Sequence, residues 1–161
     1  MNATEAERFW SYVVRGPAVE DCWIWTGAIA DDGYGRFWTQ TDSGQKVVRP
    51  QRYAHQLATG VELPASVLLL HSCDVPICVH AVVDAAESHL VEGTHRENML
   101  DRTQKNRHAN RWSAWRFNGL AKAERAQRSR DLRDVILDHG WDVEGMSAAL
   151  AGVEETHPRL F

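Results

Sequence analysis

The feature that most constrains this chain is the placement of its only three cysteines. Cys73 and Cys78 share one short loop, His71-Ser72-Cys73-Asp74-Val75-Pro76-Ile77-Cys78, while Cys22 stands alone far upstream. An odd number of cysteines does not build a disulfide framework. A Cys-x4-Cys pair with histidines nearby suits a metal better, because tetrahedral zinc takes thiolate and imidazole donors held at fixed geometry. His89 is the next well-placed donor along the chain. Cys22 is the most economical fourth, and it would tie the N-terminal part of the fold to the loop. His80 competes for a place in the set, and the bland alternative is a group of small buried residues without an ion. A structural zinc contributes on the order of 10 kcal/mol, strongly pH-dependent, which would compensate for a loop-rich middle.

At 161 residues the chain is one domain, or one domain with an appendage. Its hydrophobic content of 43% excludes disorder throughout. Several of the seven tryptophans are expected to be core anchors. No apolar run approaches the length of a membrane span, and no basic segment leads into an apolar one. The expectation is a chain without a membrane partner or a secretory signal. Its reducing surroundings would again favour metal over disulfide.

The formal charge of −4 conceals an asymmetry. Residues 96–133 hold 11 of the 18 Lys and Arg but only four acids, about +7 against about −11 elsewhere. One basic face presented to a polyanion fits that distribution, and so does a solvated helix surface.

Thr4-Glu5-Ala6-Glu7 reads as a capping box for a first helix carrying Phe9, Trp10 and Val13. Cys22–Trp25 and Gly35–Thr39 read as strands joined through the turn Asp31-Asp32-Gly33, with a third strand at Lys46–Arg49. Gln51–Thr59 is an expected helix closed by Gly60. Val67–Leu70 reads as a buried strand delivering His71 at its end, with Ser88–Glu92 as its partner. Thr94-His95-Arg96-Glu97 is a second capping box, opening a helix toward Ala109. Leu120–His139 reads as a long amphipathic helix and Met146–Ala151 as a short one.

Phosphodiester hydrolysis needs a base for water, a cation for the developing charge, and help for the leaving oxygen. His71 suits the base, since imidazole titrates near working pH. Asn98 falls in the first turn of the Thr94 helix, where its side-chain oxygen could meet a hard divalent ion. One neutral ligand is weak for Mg²⁺, but that ion keeps waters and takes substrate phosphate oxygens. Taken singly, each has a bland alternative: a satisfied strand-end histidine and a surface asparagine.

The pattern His-x-Cys-x4-Cys, then His-Leu, then Asn nine residues after that histidine, resembles the HNH or His-Me finger endonucleases. It is closest to their zinc-containing His-Cys box homing branch. Cys22-Trp23-Ile24-Trp25-Thr26-Gly27, Gly33-Tyr34-Gly35-Arg36-Phe37 and Tyr53-Ala54-His55 also resemble phage and bacterial HNH proteins. The likeness runs from about Cys22 to His108. It implies an α+β fold: a ββα-metal core with an N-terminal antiparallel sheet, a structural zinc and a helical C-terminal extension. Residues 1–110 would form the nuclease domain and 111–161 the extension, for DNA contact or homodimerisation. It implies His71 as general base, Asn98 as ligand of Mg²⁺ (or Mn²⁺ or Ca²⁺ in its place), and Cys22, Cys73, Cys78 and His89 as zinc ligands. Double-stranded DNA would be cut to 5′-phosphate and 3′-hydroxyl ends. Arg36, then Arg52, are candidates to assist at the phosphate, and Arg102, Lys105, Arg107 and Arg111 to contact the backbone. A cytoplasmic protein of bacterial or phage origin is implied. The chain departs from the pattern at Leu70, where many members carry an acid or histidine, and at His80-Ala81, which replaces Asn-Pro. An insertion, roughly Val82–Glu87, then precedes His89.

Overall fold

A computed structural model describes residues 3–94, 96–97, 99 and 122–152. The architecture is mixed α and β, with three two-stranded antiparallel sheets among the described residues. Helix α1 (Ala3–Trp10) leads into β1 (Val13–Arg15), which pairs with β2 (Trp23–Trp25) in the register Val13↔Trp25. Val13 thus belongs to a strand, not to the first helix. The segment around Cys78 adds to the other edge of β2, through an Ile24↔Cys78 bridge and the bonds Trp25 N–H to Ile77 O and Val79 N–H to Trp23 O.

The next hairpin is β3 (Phe37–Thr41) with β4 (Gly44–Val48). The expected pairing of Cys22–Trp25 with Gly35–Thr39 does not form. The Asp31-Asp32-Gly33 turn is present, but it closes only the Ile29↔Gly35 bridge. The Trp25 indole is the physical reason. It is 1% exposed, donates to Ala28 O, and lies so close to Gly27 and Gly35 that a Cβ at either would sit 2.4 or 2.7 Å from it. A ring of that size between the two segments keeps their backbones apart, so each finds another partner.

Helix α2 (Pro50–Thr59) follows, with proline in its first turn and Gly60 left-handed (φ 75°) at its C-terminus. Phe9 is fully buried between the rings of Trp25, Phe37 and Tyr53, at centroid distances of 4.9–5.3 Å. These rings join α1, β2, β3 and α2 into one core.

Strands β5 (Leu68–His71) and β6 (Leu90–Gly93) pair antiparallel, with His71 opposite Leu90. Thr94 follows as the expected cap. Its hydroxyl accepts from Glu97 N–H, and the Glu97 carboxylate accepts from Thr94 N–H and Oγ1. Arg96, Glu97 and Met99 are helical. Helices α3 (Lys122–His139) and α4 (Val143–Ala151) pack on each other and on the same core. Ala126, Ser129, Leu132 and Ile136 form the buried stripe of α3. Arg125 also reaches from α3 to the carbonyl of Asp32, 2.9 Å away. Gly33 is held there with φ 81° and no room for a Cβ against the Arg125 backbone.

Candidate metal centre and the histidine beside it

The Cys73–Cys78 loop turns through Asp74, which takes a left-handed conformation (φ 63°) tolerable for aspartate. The bridge to β2 then carries Cys78 alongside Ile24, two residues from Cys22. His89 arrives from the other side, its backbone tied to both flanks by Ser72 N–H to His89 O and His89 N–H to His80 O, each 3.0 Å. The ligand atoms of Cys22, Cys73, Cys78 and His89 consequently lie within 4.8 Å of one another. The Sγ atoms of Cys22 and Cys78 are each 3.5 Å from His89 Nδ1. A tetrahedral zinc with bonds of about 2.3 Å to sulfur and about 2.0 Å to nitrogen needs sulfur–nitrogen edges of about 3.5 Å. The residues therefore fit such an ion, and the four are the ones expected from the sequence.

The thiols show why a cation suits them. Hydrogen bonds from Cys22 and Cys78 hold the Cys73 thiol far below its ordinary value. The same contact with Cys73 pushes Cys22 up, and burial pushes Cys78 up. The crowded sulfurs thus oppose one another's ionisation. A bound dication lets every ligand give up its proton. The Cys73 thiolate also raises His89, against the effect of burial.

His80 is not among the four. Its Nδ1 lies 2.7 Å from Asp21 O, its ring stacks flat on Trp23 at 4.4 Å, and burial lowers its proton affinity. It sits behind His89, ring centroids 4.4 Å apart, and its backbone N–H reaches Cys78 Sγ at 3.5 Å. His80 thus braces the ligands through its ring and its backbone N–H. The segment after it, residues 82–87, loops out from this geometry. The His80–His89 backbone bond pins its base, while Val83 stands 79% exposed.

His71 closes β5 two residues before Cys73, near enough to help lower that thiol. Both ring nitrogens are shielded; neither makes a hydrogen bond of ordinary geometry among the described residues, and the Cys73 thiol is a polar group the ring meets. Its nearest ring neighbour is Tyr34, at 6.3 Å between centroids. Arg49 lies over Tyr34 at 4.8 Å and grips Asp32 at 2.7 and 3.2 Å. Arg36 also bonds Asp32, at 3.2 Å, and donates to Gly35 O. Arg52 is engaged elsewhere. Its guanidinium donates to Leu63 O, Pro64 O and Val67 O, fixing the approach to β5. Arg49, Tyr34 and Asp32 have no signature as site residues in the sequence, because Asp32-Gly33 reads as a turn and nothing local marks a turn as an arginine anchor. Asn98, Arg102, Lys105, Arg107 and Arg111 lie outside the described residues.

The chain is similar to two proteins of Escherichia phage T7. It is 34% identical to protein 7.7 over 91 residues, covering 56% of this chain and 62% of that protein. It is 36% identical to protein 2.8 over 86 residues, 53% of this chain and 52% of that one. The chain thus spans between half and two thirds of the curated relatives it matches. No family model matches, and no solved structure does. Among the described residues, no helix is long and apolar enough to cross a membrane.

Proposed function

We propose that the protein is a metal-dependent DNA endonuclease of the His-Me finger type, in which a zinc-held loop presents His71 as general base. One observation carries this reading: His71 ends a β-strand beside the Cys22–Cys73–Cys78–His89 cluster, with two buried ring nitrogens that make no hydrogen bond of ordinary geometry among the described residues. A buried polar atom left unmatched costs about 1–3 kcal/mol, and orphans of this kind point to a missing water or ion, or to catalysis. The antiparallel β5–β6 pair followed by the capped helical turn after Thr94 supports the reading, being in the order that the resemblance implies. The Thr94 turn leads directly into Asn98, the expected ligand of Mg²⁺. That ion would supply charge neutralisation at the scissile phosphate and at the departing oxygen.

His71 accepts a proton from water, the water oxygen bonds to phosphorus, and the bond from phosphorus to the 3′ oxygen breaks, the departing oxygen taking a proton from solvent. The products are a 5′-phosphate and a 3′-hydroxyl. The zinc ligands fix the loop, and with it the position of the His71 ring relative to the following helix. The basic stretch from Arg102 to Arg116 would hold the DNA backbone, where phosphate contacts set register and orientation.

Supercoiled plasmid incubated with Mg²⁺ is expected to be nicked, with nicks that DNA ligase reseals without treatment of the ends. Nicks that resist ligation would overturn the stated chemistry. A second reading, a zinc-stabilised DNA-binding module without catalysis, is favoured by one fact: both nitrogens of His71 are shielded here. Salt-dependent DNA binding without cleavage in any divalent ion would select it.

A further inference from the structure

Three arginines from separate parts of the chain meet at a single aspartate. The Asp32 carboxylate takes Arg49 through both Nη atoms and Arg36 through one, and the Asp32 carbonyl takes Arg125 from α3. Burial alone would push the Asp32 carboxyl up. The hydrogen bonds from Arg49, the Tyr34 amide and Arg36 outweigh it and hold the group well below the carboxylate range. Asp32 is therefore ionised, and its one negative charge faces the guanidiniums of Arg49 and Arg36, with Arg125 held on the carbonyl of the same residue. The side chains of Arg36 and Arg49 are 26% and 34% exposed, so the surplus charge is open to solvent on one side. A guanidinium carries five donors in a rigid fork, more than Asp32 engages from either residue.

The group is placed as well as charged. Arg49 stacks on Tyr34, and Tyr34 is the ring neighbour of His71. Stacking and the two-point grip of Asp32 fix the plane of the Arg49 guanidinium. Planar, doubly donating cations match phosphate oxygens in particular. We infer that Asp32 assembles Arg36, Arg49 and Arg125 into a phosphate-binding group that seats the nucleic-acid backbone beside His71. The inference rests on the nuclease reading and adds to it a second electrostatic contact, apart from the basic stretch after Arg96. Arg49 and His71 are both neighbours of the Tyr34 ring, and the proposed role of Arg49 is to hold a phosphate flanking the scissile one. Asp32 is a positioning residue, and α3 takes part in binding through Arg125.

The test uses full-length protein carrying His71→Ala, so that binding is read without cleavage. Affinity for a short DNA duplex is followed by fluorescence anisotropy across a salt series. Each phosphate contact contributes about 0.9 to the slope of log K against log salt. Arg49→Gln is expected to lower that slope by about one and weaken binding about eightfold at 0.1 M salt. Arg49→Lys should keep the slope. Arg125→Gln removes a donor to a backbone carbonyl and leaves the Asp32–Arg49 pair in place, so it carries the test should Arg49→Gln fail to fold. It too should lower the slope by about one. Zinc content per chain serves as the folding control. In the His71 enzyme, Asp32→Asn should lower kcat for nicking more than it raises KM, because the arginines remain but lose their alignment. Unchanged slopes for both glutamine variants at normal zinc content would overturn the inference while leaving the nuclease reading standing. A parent protein without salt-dependent affinity would take down both.

Discussion

His71 is costly to the fold in its present state. Its ring is covered, and apart from the contact with the Cys73 thiol its nitrogens make no hydrogen bond of ordinary geometry among the described residues, so replacing it with an apolar residue of similar size removes little bonding. His71→Leu is expected to leave stability unchanged or raise it by about 1 kcal/mol while abolishing nicking. Urea unfolding checks this; a loss above about 2 kcal/mol would show that the nitrogens are satisfied after all. Asp32 behaves in the opposite sense. Its folded pKa is depressed by Arg49, Tyr34 N–H and Arg36 against the effect of burial. Its stabilisation is thus fully present above the ordinary carboxylate value near 4 and is lost as pH falls below it toward the folded value. Asp32→Asn should cost about 2 kcal/mol at pH 7, and the gap to wild type should narrow by about pH 3. A gap of constant size would mean that shape, not charge, holds the turn.

At the level of elements, the loop between β5 and β6 is where local sequence and long-range contacts meet. Cys78→Ser removes one of four donors and leaves a buried hydroxyl among thiols. It should abolish stoichiometric zinc and unfold the chain under native conditions, since such sites contribute on the order of 10 kcal/mol. Elemental analysis with circular dichroism reads both. Thr94→Ala removes the cap at the start of the following helix and should cost about 1 kcal/mol, measured by thermal unfolding. The elements legible in the sequence are those with local signals: the α2 stop at Gly60, the Thr94 capping box, the β5–β6 pair and the Cys-x4-Cys loop. Cys22 and His89 are legible too, because donor chemistry narrows the candidates even across long separations. Strand pairing in the N-terminal half is not. Whether β2 joins β1 or β3 depends on where the Trp25 indole lies, and a ring's placement between Gly27 and Gly35 has no signature in spacing. The role of His80 is equally hidden, since its partner is the backbone carbonyl of Asp21.

For the whole molecule, the C-terminal helices matter beyond their own packing. Leu132 and Ile136 are buried in the same core as Ile24 and Phe9, so the apolar stripe of α3 is used up inside. Leu137 of the same helix stays exposed, and Leu132→Ala should cost about 2–5 kcal/mol in the single chain. These helices also wall a hollow of about 560 Å³ with Cys22, Cys73 and His89 on its other side. Metal site, α3 and the Asp32 arginines are thus parts of one packed body, with His71 between the metal site and the arginines. Everything proposed for the reaction depends on His71 acting from a zinc-held loop. The decisive measurement is nicking of supercoiled plasmid in Mg²⁺ by wild type and His71→Ala, each first shown to carry zinc. One zinc per chain is expected in both proteins, with nicking by the wild type alone. Equal nicking by the two, or none by a wild type that carries its zinc, would contradict that role for His71.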